Sequence, residues 1–152
     1  MLIDEPIFKL LKQAINKDGW LELPAFGNSM FPYIQADDKC RFSYCHPSEL
    51  KKGDVVLVQL KTGQLIAHRL VKKQIINYQH VFILKGDTNL GFDKPVQEGQ
   101  ILGKLVGVKK QHIHLSQEHL IVRLWGGMIL TFPVLSGILR KYLNRKLKLQ
   151  FK

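Results

Sequence analysis

GDVVLVQLKTGQLIAHRLV, residues 53–71, decides how the rest of this chain is read. Two runs rich in branched and aliphatic residues, Val55 to Leu60 and Leu65 to Val71, flank Lys61-Thr62-Gly63-Gln64, a turn with the composition of a hairpin loop. His68 therefore falls on the second strand of a hairpin. Outward from it, Trp20 to Leu23, Lys39 to Tyr44, Val81 to Lys85 and Leu102 to Val108 have the same short, β-prone pattern. The expectation is a mainly β protein with a mostly antiparallel sheet.

The ends of the chain differ. Glu5 to Lys17 reads as a short amphipathic helix, with Pro6 in its first turn, Ile7, Phe8, Leu11 and Ile15 on one face, and Asp18-Gly19 as its stop. At the other end an apolar stretch, Leu124 to Leu139, is followed by Arg140, Lys141, Arg145, Lys146, Lys148 and Lys152 without any acid. That stretch is shorter than the roughly 20 residues of a membrane span, and Gly126-Gly127, Pro133 and Gly137 interrupt it. The pattern matches an interfacial helix with a polybasic flank that an anionic membrane surface would attract. A buried helical hairpin with a solvated tail is the competing reading. We divide the chain into a β-rich part with the N-terminal helix, 1–115, and a C-terminal helical, basic extension, 116–152.

The 152 residues, 45% of them hydrophobic, suffice for one core. A net charge of +11 suits nucleic acid, an anionic membrane or plain solubility, and the clustering of charge at the C-terminus favours the membrane over nucleic acid. Cys40 and Cys45 are expected to be free thiols. They lack the second Cys or His pair that zinc requires, and His112 with His114 fits one face of a strand better than a metal site. No metal and no cofactor are expected.

Chemistry concentrates in separate blocks: Ser29-Met30-Phe31-Pro32, then His68-Arg69, then Lys85-Gly86-Asp87-Thr88-Asn89, then Asp93. A serine hydroxyl is a weak nucleophile unless a base within hydrogen-bond reach takes its proton, and an imidazole suits that task near neutrality. His68 is the candidate base. A carboxylate must fix its tautomer and stabilise the imidazolium, and Asp93 and Asp87 are rivals for that role. A turn holding Gly27 and Asn28 ahead of Ser29 can aim N–H groups at an oxyanion. Met30 is expected to pack beneath the nucleophile and Pro32 to stiffen the turn, while Asp54 and Arg69 are expected to shape a turn and cover the sheet.

At these blocks, over roughly residues 24 to 108, the chain resembles the signal peptidase and SOS-repressor serine peptidase superfamily, and within it the endoplasmic-reticulum-type signal peptidases. That type takes its nucleophile from Ser-Met-x-Pro, its base from His-Arg, and its carboxylate from just after a Lys-Gly-Asp-Asn-Asn stretch. The resemblance implies Ser29, His68 and Asp93 as a catalytic triad, with Asp87 supporting the site, and the coiled antiparallel β fold of those peptidases. Gly27 stands where the family often has a small hydroxylic residue, Thr88-Asn89 replaces Asn-Asn, and Phe92 precedes Asp93 where a second aspartate is common. The implied activity is a serine endopeptidase that cleaves an extended peptide or protein substrate after small residues. With neither an N-terminal anchor nor a secretion signal, the expected location is the cytoplasm or the cytoplasmic membrane surface. The alternative is a non-catalytic, regulatory module of the repressor-peptidase type that binds nucleic acid or a protein partner. Only 28 residues precede Ser29, too few for a helix-turn-helix domain with a cleavage hinge.

Overall fold

The computed structural model describes residues 1–110 and 113–150. It is a mainly antiparallel β structure with one helix before the sheet and two after it. Helix α1 (Glu5–Asp18) leads into β1 (Trp20–Pro24), β2 (Lys39–Ser43), β3 (Val55–Gln59), β4 (Leu65–Ile76), β5 (Gln79–Lys85), β6 (Val96–Gln97), β7 (Ile101–Lys109) and β8 (His114–Ser116). Helices α2 (Leu120–Thr131) and α3 (Val134–Gln150) follow. The sheet runs β1-β2-β7-β3-β4-β5-β6, with β8 added beside β7.

Strand β3 lies at the centre and is buried along its whole length. Successive side chains on a strand point to opposite faces, and β3 serves two cores in this way. Val55 and Leu57 join a cluster with Phe8, Ile15, Met30, Tyr33, Phe42 and Val122. Val56 and Val58 join a second with Leu50, Leu70, Phe82, Leu84 and Val96. The β3–β4 hairpin has the register that its turn implies, with Val56 opposite His68 and Val55 opposite Arg69.

Two elements depart from the sequence reading. Helix α1 is capped as its sequence requires: the Asp4 side chain accepts from the Ile7 N–H at 2.9 Å, and Gly19, at φ 78°, donates to Ile15 O. Its inward face, however, is Phe8, Leu11 and Ile15, and Ile7 is exposed. Three- and seven-residue steps from Phe8 define one stripe, and Ile7 lies about 100° away from it. Strand β4 runs past Val71 to Ile76 and returns through Asn77-Tyr78, both at positive φ, in a two-residue hairpin turn. Lys72, Lys73 and Gln74 carry no apolar period, so this extension is set by pairing with β5. The strands β6 and β8, of two and three residues, are too short to carry a periodic pattern at all.

Cys40 and Cys45 are free thiols. His114 lies on β8 opposite Lys109. Its neighbour His112, and Lys152 of the basic tail, lie outside the described residues.

Candidate active site

Ser29 sits in the loop after β1, and three features fix that loop. Gly27 takes φ 105°, a left-handed conformation that a side chain disfavours. Asn28 ties the loop to itself, its Oδ1 accepting from the Ala36 N–H at 3.1 Å and its backbone carbonyl from the Phe31 N–H. Met30, next to Ser29, is buried in the core, and the Phe31–Pro32 peptide is cis.

The loop also rests on the turn after β5. The backbone N–H of Thr88 donates to Ser29 O at 2.9 Å, and the Thr88 hydroxyl donates to the same carbonyl at 3.2 Å. A Cβ on Gly86 would lie 3.0 Å from that oxygen, so glycine is what permits the approach. The Gly-Asp-Thr block thereby locks the backbone of Ser29. Nothing in the residue type of Thr88 announces this contact, which links turns 59 residues apart.

His68 joins the hydroxyl to a carboxylate. Its Nε2 lies 2.9 Å from Ser29 Oγ and its Nδ1 lies 2.6 Å from Asp93 Oδ2. An ionised carboxylate only accepts, so Nδ1 carries the hydrogen and Nε2 of the neutral ring accepts from the serine hydroxyl. Asp93 is held in place by its own backbone N–H, which donates to Leu84 O at 2.8 Å at the end of β5. The imidazole and the carboxylate are largely shielded from solvent, with side chains 8% and 15% exposed, which strengthens their interaction.

Asp87 occupies a different position. Its Oδ1 accepts from Arg69 Nε, and its Oδ2 from both Arg69 Nη2, each at 2.8 Å, and Trp125 Nε1 at 2.9 Å. Arg69 Nη1 donates to Gly53 O. Both side chains of this ion pair are 1% exposed, so Arg69 is a buried strut rather than a cover for the sheet. Because neighbours on β4 alternate, His68 faces Ser29 while Arg69 anchors the turn that supports it. Asp54 does shape a turn, accepting from the Lys51 N–H at 2.9 Å.

Trp125 and the C-terminal helices are the part of the site that sequence reasoning missed. Besides the indole contact, Lys85 Nζ on β5 donates to the fully buried Ser136 Oγ of α3 at 3.1 Å, and Tyr142 stacks on Phe31 with ring centroids 5.7 Å apart. An indole in an apolar helical stretch carries no local signal of its partner.

Ser29, His68 and Asp93 line a cavity of about 400 Å³ whose walls include Leu23, Ile34, Phe42, Leu57, Leu65 and Ala67. Two strand edges border it. Among the described residues β1 pairs with β2 alone; on β4 the Leu65 N–H is taken by Met1 O at 2.8 Å, and Ile66 to His68 have β3 on one side while pairing with β5 starts at Arg69. Burial pushes the Cys40 thiol, also on the cavity wall, up to about 12, so it stays protonated. Among the described residues, no group of three or more His, Cys, Asp or Glu side chains is placed to hold a metal ion. No protein-family model, curated protein or solved structure matches the chain significantly.

Proposed function

We propose that the protein is a serine endopeptidase of the signal peptidase and SOS-repressor peptidase superfamily, with Ser29 as nucleophile, His68 as general base and Asp93 as its orienting carboxylate. The continuous hydrogen-bonded series from Ser29 Oγ through both His68 nitrogens to Asp93 carries this reading. Ser29 Oγ attacks the scissile carbonyl as its proton passes to His68 Nε2. Asp93 stabilises the imidazolium, which then gives the proton to the leaving amine. Water repeats the sequence on the acyl-enzyme and restores the serine.

Among the described residues none accepts a hydrogen bond from the backbone N–H of Ser29, which leaves that donor free for the oxyanion of the tetrahedral intermediate. An extended peptide fits the edge of β1 and that of β4 from Ile66 to His68, with main-chain hydrogen bonds supplying affinity and the apolar cavity receiving alternate side chains. A preference for cleavage after small residues is carried by the resemblance of the Ser-Met-x-Pro and His-Arg blocks to the endoplasmic-reticulum-type enzymes.

The test is digestion of a peptide library rich in Ala-x-Ala sequences, read by mass spectrometry, with wild type beside Ser29→Ala. Cuts that disappear in Ser29→Ala support the endopeptidase and give its specificity. Cuts that persist in Ser29→Ala refute the triad. No cuts from wild type favour a non-catalytic binding module.

A further inference from the structure

The C-terminal helices have two contrasting faces. Inward, Val122 joins the core of Val55 and Leu57, Gly126 lies against Arg69, Ser136 accepts from Lys85, and Ile129 is buried. Outward, Ile121, Leu124 and Met128 of α2 fall at steps of three and four residues on one stripe, and the connection to α3 exposes Phe132 and Val134. Ile121 is 71% exposed and Val134 is 73% exposed, at the two ends of this outward face.

This apolar elbow is continuous with charge of one sign. From His119 to the C-terminus the chain has no acidic residue, while α3 carries Arg140, Lys141, Arg145, Lys146 and Lys148. Among the described residues none of these five cations makes an ion pair. An aliphatic surface bordered by unpaired cations is complementary to acyl chains beneath anionic headgroups.

We propose that α2 and α3 seat the protein on an anionic lipid bilayer, with the elbow around Phe132 and Val134 entering the interface and the basic side chains of α3 lying among the headgroups. This is independent of the reaction at Ser29. No single helix is long and apolar enough to cross a membrane, whereas the two together pass by length and composition but bend by 103°. Their inner face is committed to the sheet, so crossing would strip Val122, Trp125 and Ser136 of their partners, and lying on the surface leaves them in place. A second copy is a poor occupant, because an isologous contact would set two all-basic helices together. Nucleic acid would satisfy the charge and leave the aliphatic elbow in water.

Co-sedimentation tests this, using the full chain with vesicles of phosphatidylcholine alone or mixed with phosphatidylglycerol. The protein should pellet with the mixed vesicles and be released by high salt. Arg145→Gln and Lys148→Gln should each weaken partitioning about fivefold, and Leu124→Asp about tenfold. If Leu124→Asp disturbs folding by circular dichroism, the two glutamine variants carry the test. Wild type remaining in the supernatant, binding that ignores all three substitutions, or a full chain that retains duplex DNA but no vesicles would overturn the proposal.

Discussion

Trp125 of α2 donates its indole N–H to the same Asp87 oxygen that receives Arg69 Nη2, at 2.9 and 2.8 Å. A C-terminal helix thus completes the buried ion pair that braces the turn supporting Ser29. Removing Trp125 Nε1–H deprives a buried carboxylate of one of three donors. Trp125→Phe should cost about 1–3 kcal/mol in urea unfolding, since hydrogen bonds to charged groups fall in that range; an unchanged midpoint would mean that the indole contact adds nothing.

The two aspartates should separate by phenotype. Asp93→Asn should lower kcat by about four orders of magnitude with little change in stability, because the imidazole loses its orienting acceptor. Asp87→Asn should destabilise by about 3–5 kcal/mol, since it leaves the Arg69 guanidinium buried without a counter-charge. Peptidase assays and denaturant curves on both variants check this, and the reverse pattern would exchange the roles.

His68→Lys should be as inactive as His68→Ala. A lysine ammonium can approach Ser29 Oγ, but it has no second ring nitrogen through which Asp93 could fix it, and the site supplies the acceptor at the distance of Nδ1. Activity of His68→Lys well above that of His68→Ala would argue against a base positioned by Asp93.

Adjacent glycines in α2 should respond in opposite directions to alanine. A Cβ on Gly126 would lie 2.8 Å from Arg69 Nη1, whereas nothing is within 4 Å of one on Gly127. Gly127→Ala should therefore gain up to about 1 kcal/mol of helix propensity. Gly126→Ala should lose about 1–3 kcal/mol by crowding the buried guanidinium. Paired thermal melts would show shifts of opposite sign, of about 2–4 °C per kcal/mol.

Alkaline pH should destabilise the protein through two buried groups. Burial raises the Cys40 thiol from 9.0 to about 12, and burial raises the Tyr33 hydroxyl above its ordinary value as well. Both stay protonated in the fold while the unfolded chain loses protons, so stability is complete below pH 9 and declines above it. The slope approaches about 1.4 kcal/mol per pH unit for each group. Urea midpoints measured from pH 7 to 11 should fall less steeply for Cys40→Ala, and equal slopes would exclude a contribution from the thiol.

The chain by itself determined the local structure and the chemical inventory. Alternating and continuous apolar runs marked six of the eight strands, since a buried strand must carry such residues; Asp4, Pro6 and Gly19 bounded α1 through backbone hydrogen-bond needs alone. The blocks that hold Ser29, His68, Asp87 and Asp93 were likewise visible as residue types in order. Tertiary structure decided what those residues do to one another. Asp87 and Asp93 are six positions apart on one loop and equivalent in chemistry, and the Asp93 N–H bond to Leu84 O, together with the capture of Asp87 by Arg69 and Trp125, separates them. Trp125 lies 38 residues from Asp87 along the chain and 2.9 Å away in space. Spacing in sequence reports periodicity within an element; a contact between elements depends on how the buried faces of several of them are satisfied together, which no local pattern encodes.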